Sequence, residues 1–154
     1  MIHGLPPARG AALLLAGAVA GAALTGCSAD DTARSSLSQS AGTAAATARS
    51  AGLVLGLEQD DRLLGTVLDT GLTDSADTLA QEAQTVSTLT ALGGIGRTRD
   101  EVLSDIRSAQ DAVGAAQRAV AAGSGTGAVL DRQRRQLDRL AKQLDATSKR
   151  LERG

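Results

Sequence analysis

Glu58, Asp60 and Asp61 place three carboxylates within four consecutive residues. Such a set can offer hard oxygen ligands to calcium or a carboxylate pair for acid–base work. Acids grouped on a helix are more commonly solvated, and these three read as such. Asp61 is the unusual member, because it falls on an apolar seam and, if buried, needs a partner such as Arg97 or Arg99. The side chains most used for zinc, copper or nucleophile activation are scarce: the chain has one histidine, His3, and one cysteine, Cys27. Gly123-Ser124-Gly125-Thr126-Gly127 has the glycine density of a phosphate loop, yet it follows a predicted helix and brings no lysine. It reads as a connector. No catalytic, cofactor-binding or metal-ligating residue is assigned, and the chain is not expected to be an enzyme.

The remaining charged pattern lies near the carboxyl terminus. Asp131, Asp138, Asp145 and Glu152 recur every seven residues, and Arg135, Lys142 and Lys149 each stand four residues after an acid. That order suits helical ion pairs worth roughly 0.2 to 0.5 kcal/mol each. With Arg132, Arg139 and Arg153 they form a candidate contact stripe for an anionic partner: Arg132, Arg135, Arg139, Lys142, Lys149 and Arg153. The competing reading is a solvated, self-paired helix, which the interleaved acids favour. Nucleic acid is the least expected partner, since no aromatic is present to stack on bases.

What must position these residues is helical. The 154 residues contain no Phe, Tyr or Trp, so any core is built from Leu, Val, Ile and Ala. Val54, Leu57, Asp61, Leu64 and Leu68 follow one seam, and Leu72, Ala76, Leu79, Ala83, Val86 and Thr90 another, in steps of three or four. Val102, Ile106, Ala109, Val113, Ala116 and Val120 repeat the step after Gly93-Gly94-Ile95-Gly96, and Leu130, Gln133, Leu137, Leu140, Leu144, Thr147 and Leu151 do so again. The spacing predicts helices over 32–70, 73–92, 97–122 and 127–152, packed as an all-α antiparallel bundle of three to four helices. The link at Asp69 to Asp74 is placed at Gly71, as a helix terminator, with Thr73 capping the second helix; a continuous rod through Gly71 is the alternative. Residues 28–52 are rich in Ser, Ala, Thr and Gly, with Leu37 their only large aliphatic. Ala41, Ala44, Ala48 and Ala51 offer a narrow seam, so residues 27–52 read as a tether or weakly held helix, and 53–154 as the bundle domain.

Charge is uneven. Residues 27–92 carry nine acids and three arginines, 97–122 four of each sign, and 127–154 eight bases and four acids. Such complementarity favours the last helix lying against the first two. Arginine outnumbers lysine fourteen to two, a usage associated with high-GC genomes such as those of actinobacteria.

Residues 1–26 read as an export signal: a short polar start with Arg9, an apolar run from Ala11 to Leu24, then small residues. Fourteen helical residues span only about 21 Å, short of the roughly 30 Å bilayer core. Leu24-Thr25-Gly26-Cys27 resembles the lipobox of bacterial lipoproteins. The resemblance implies a diacylglyceryl group on the Cys27 thiol and cleavage before it, leaving the mature chain tethered to the outer face of the plasma membrane. Two acyl chains hold stably where one does not. The function expected on this reading is a non-catalytic binding, scaffold or sensing module of the cell envelope, with an envelope protein partner or self-association. A small-ligand carrier or carboxylate-based enzyme using the bundle interior is the alternative.

Overall fold

The computed structural model describes residues 29–59, 65–91, 93–123 and 127–154. Cys27 and the rest of the lipobox lie outside the described residues, as do Asp60 and Asp61. Four helices account for nearly all of the described chain: α1 (Ala29–Gln59), α2 (Gly65–Thr88), α3 (Gly93–Ala121) and α4 (Gly127–Arg153). They form an antiparallel bundle, with no strand among the described residues.

Each helix packs on its sequence neighbour, and α4 returns to close the ring on α1, the most extensive contact of all. Across the ring α1 also touches α3, whereas α2 and α4 make no contact. The bundle is therefore a rhombus in cross-section, and side-chain size explains its short diagonal. α1 buries Ala41, Ala44, Ala45, Ala48 and Ala51, and α3 buries Ala109, Ala112 and Ala116. Alanine faces let two backbones approach where Leu faces hold them apart. Leu37, Leu55, Leu68, Leu72, Leu79, Val102, Ile106, Val113, Leu137 and Leu144 fill the remaining interior.

The seams of α3 and α4 hold, that of α2 holds as far as Val86, with Thr90 exposed beyond the helix, and that of α1 does not. Leu57 is 39 % exposed and Leu53 69 %, whereas Ala41, Ala44, Ala48, Ala51 and Leu55, in steps of three, four, three and four, are fully buried. The large side chains Val54 and Leu57 suggest a seam that the small ones own. Residues 29–52 are accordingly not a spacer: they make the greater part of α1 and of its face against α4. The division expected at residue 52 falls inside a helix.

The break between the first two helices is also displaced. Gly71 lies inside α2, which begins at Gly65, whereas α1 ends at Gln59. A Cβ on Gly71 would meet Val54 Cγ2 at 3.2 Å, so α1 and α2 lie side by side and are not one rod. A single Gly inside a helix costs about 1 kcal/mol against Ala, a loss that burial of Leu68 and Leu72 on either side outweighs. At the end of α3, by contrast, glycine terminates: Gly123 adopts φ 60° and its N–H donates to the Val120 carbonyl at 3.0 Å. The Arg99 guanidinium donates to the Leu89 carbonyl at 3.0 Å, just beyond α2, and also holds Asp100. Arg97 is exposed.

Candidate functional site

α4 is the most strongly two-faced helix of the bundle. Leu130, Leu137, Leu140, Ala141, Leu144, Ser148 and Leu151 turn inward. At 100° per residue, Arg132, Arg135, Arg139, Lys142, Lys149, Arg150 and Arg153 fall within an arc of about 100° on the opposite side. All seven are exposed. From Arg132 to Arg153 the row runs about 32 Å.

Asp138, Asp145 and Glu152 fall outside that arc, on the flank turned toward α1, and Asp131 stands at its edge. Asp145 receives Arg49 of α1 at 3.2 Å, and Asp138 Oδ1 lies 3.4 Å from where a Cβ on Gly52 would stand. Glu152 lines the cleft between the start of α1 and the end of α4. Asp131 holds Arg134, at 2.9 Å, and Arg135. The stem of Arg134 crosses onto α1, with Cδ 3.7 Å from where a Cβ on Gly56 would stand. Glycine on α1 thus makes room for α4's polar flank.

Of the three helical ion pairs expected from spacing, two form: Asp131 with Arg135, and Asp145 with Lys149 at 2.8 Å. Asp138 and Lys142 do not pair. Four cations of the outer row, Arg132, Arg139, Lys142 and Arg153, have no carboxylate within ion-pair distance among the described residues. The self-paired reading is right for part of the helix only. Sequence spacing missed two members of this surface. Arg134 lies on the inner flank with its Nε buried and unbonded, and Arg150 reaches toward Glu101 of α3 at 3.8 Å. The placement of Arg150 in the last turn, where cations suit the helix dipole, is the signal that points to it.

Electrostatics act on Asp131 and Asp145. Hydrogen bonding from Arg134, reinforced by Arg135, holds the Asp131 carboxyl below its ordinary pKa. Lys149 and then Arg49 do the same for Asp145. Asp105 on α3 is raised, first by burial and then by Glu101 beside it.

The interior offers little chemistry. Among the described residues the buried polar ones are Ser38, Ser40, Ser75 and Ser148, with no charged residue among them. Ser75 donates to the Gly71 carbonyl within α2 at 2.7 Å. Ser38 and Ser148 join α1 to α4 reciprocally: Ser38 Oγ donates to the Ser148 carbonyl at 3.1 Å, and Ser148 Oγ to the Ser38 carbonyl at 2.9 Å. Glu58 is half-buried at the far end of α1. No group of three His, Cys, Asp or Glu stands close enough to hold a metal among the described residues. An open cleft of about 570 Å³ between Asp31, Arg34 and Gln39 of α1 and Leu151 and Glu152 of α4 mixes both signs of charge and selects neither. Among the described residues no helix is long and apolar enough to cross a membrane.

Comparison with known proteins finds no matching family model, no matching curated protein and no matching solved structure.

Proposed function

We propose that this chain is an extracytoplasmic lipoprotein, tethered to the outer face of the plasma membrane through lipid on Cys27, whose helical bundle serves as a non-catalytic binding or scaffold module. The contact surface is the outer face of α4. The observation that carries the surface is the separation of charge on that helix: Asp138, Asp145 and Glu152 lie on the α1 flank, Asp131 is taken up by Arg134 and Arg135, and Arg132, Arg139, Lys142 and Arg153 are left facing solvent without carboxylate partners among the described residues. A packed interior of Ala, Leu, Val, Ile and a few hydrogen-bonded serines supports a binding role over chemistry. The lipobox residues Leu24, Thr25, Gly26 and Cys27 support the anchor.

Metabolic labelling with a clickable palmitate analogue, followed by membrane fractionation, tests the anchor. The wild-type chain should carry label and sediment with membranes, while Cys27→Ser carries none and appears in the medium or as uncleaved precursor. An unlabelled wild-type chain recovered from the cytosol refutes it.

A further inference from the structure

The two helices on the long diagonal of the bundle carry opposite charge. α2 has Asp69, Asp74, Asp77 and Glu82 and no Lys or Arg at all, a net charge of −4. α4 has eight bases, Arg132, Arg134, Arg135, Arg139, Lys142, Lys149, Arg150 and Arg153, against four acids, a net charge of +4. The helices between them are close to neutral: α1 has three acids and two bases, α3 four of each. Because α2 and α4 do not touch, neither neutralises the other within one molecule. The bundle presents an acidic wall and a basic wall on opposite sides.

We infer that the basic wall of one copy docks on the acidic wall of the next, so that the partner of the α4 face is α2 of a second copy of this chain. The inference deepens the proposed function by naming what that face binds. Three observations favour this occupant. First, the complement is present on the same molecule: Asp69, Asp74 and Asp77 are exposed, and so are the four cations of α4 without ion pairs among the described residues. Second, the helices that carry the charges are of similar length, 24 residues against 27, or about 36 and about 40 Å, with the exposed acids Asp69, Asp74 and Asp77 in the first half of α2. Third, α2 and α4 run in the same direction, since both are antiparallel to α1 and α3. A sideways translation therefore sets the two walls together with bundle axes aligned and every α1 start at the same end.

That contact is heterologous and does not close on itself. Repetition gives an open row with all amino-terminal ends on one side, the arrangement a set of membrane-tethered copies requires. The α4 face has Gln143 and Ala146 between its cations, Ala128 before them, and no large apolar side chain. It is suited to lie against another charged wall and lacks the Leu or aromatic anchors with which an interfacial helix enters a bilayer. Pairs of this kind are individually weak and screened by salt, so crowding at a membrane is what makes the row persist.

Analytical ultracentrifugation of the full chain in a non-ionic detergent tests the pairing, at about 10 mM and about 1 M salt, where the Debye length is about 30 and about 3 Å. At ~100 μM protein the sedimenting mass should at least double, roughly, at low salt and fall to the monomer at high salt. Two charge reversals separate the walls: R132E/R139E/K142E on α4 and D69K/D74K/D77K on α2. None of these cations is in an internal ion pair among the described residues, and far-UV circular dichroism should show both variants folded. Each variant alone should be monomeric, and their equimolar mixture should associate, because the reversed α4 now meets a reversed α2. A wild type that stays monomeric at low salt, or two folded variants whose mixture fails to associate, overturns the inference. Binding of wild type to vesicles of anionic phospholipid that is lost on the α4 reversal, without self-association, also overturns it while retaining α4 as the contact surface. Sedimentation reads the pairing without a membrane, so its outcome is separable from that of the labelling experiment on Cys27.

Discussion

The reciprocal serine bridge between α1 and α4 is expected to set the register of the largest helix contact in the bundle. The α1 side of that contact is made chiefly of alanine and glycine, which pack closely but differ little from one turn to the next. A shift by one turn would cost few apolar contacts. It would, however, leave two buried hydroxyls without the partners they now have at 3.1 and 2.9 Å. Ser148→Ala removes one donor while Ser38 Oγ keeps the Ser148 carbonyl, so the loss is that of one net hydrogen bond, about 1 kcal/mol. Ser38→Ala should cost the same. Because the two hydroxyl oxygens also stand 3.2 Å apart in direct contact, S38A/S148A should lose less than the sum of the single variants, with a coupling of about 0.5 kcal/mol in the cycle. With no aromatic residue in the chain, fluorescence is silent, and urea unfolding must be followed by circular dichroism at the helical band. Single variants within about 0.5 kcal/mol of wild type, the range of ordinary surface changes, would refute the bridge as a register device. Strict additivity would refute the pairing.

Glycine substitutions within the helices should split by what a new Cβ meets. Gly114→Ala would place its methyl 3.4 Å from the mobile tip of Arg118, and should raise stability by about 1 kcal/mol through helix propensity. Gly71→Ala would press on the stiff, branched Val54 Cγ2 at 3.2 Å, and should gain measurably less or lose; equal gains at the two sites in thermal unfolding would contradict the packing. The carboxylates predict a pH dependence of mixed sign. Asp131 and Asp145 have lowered folded pKa values, so their contribution is present above about pH 3.9, the unfolded value, and is lost as pH falls through the folded values. D131N/D145N should flatten the acid limb of a stability–pH curve. Asp105 runs the other way: its raised folded pKa favours the folded state below the unfolded value and costs stability as pH rises through the folded one, so Asp105→Asn should be at least as stable as wild type at neutral pH.

Periodicity was legible where the side chains that repeat are also the side chains that pack. Val102, Ile106, Ala109, Val113 and Ala116 show it on α3, and Leu130, Leu137, Leu140, Leu144 and Leu151 on α4; all are buried. It misled on α1, where hydrophobic size and burial part company. Ala44 and Ala48 lie at zero exposure because their smallness lets α3 and α4 approach, and a residue-by-residue reading weights Leu53 and Leu57 instead. Gly71 misled for a related reason: glycine breaks a helix when the chain must turn there, and inside one it can instead serve a neighbour, here Val54. Charge complementarity pointed to the right neighbour for α4 in α1, yet their bridging ion pair runs from Arg49 on the acidic segment to Asp145 on the basic one. α2, the more acidic helix, lies across the ring from α4. Apolar geometry decides who packs on whom, and exposed charge worth at most about 1 kcal/mol per pair adjusts to it. The α4 cations were legible as a group; what spacing on α4 does not reveal is that Gly52 and Gly56 of α1 make room for Asp138 and Arg134.

α1 begins at Ala29, so only Ser28 stands between it and Cys27. If lipid holds that thiol, as proposed, the body has almost no leash: one or two residues reach about 7 Å at full stretch. A leashed domain explores a hemisphere of space above its anchor, whereas this one would stand as a post. The 31 residues of α1 fix its height at about 46 Å, and whatever touches its far end, where Leu53 and Val67 are exposed, would be held at that distance from the lipid surface.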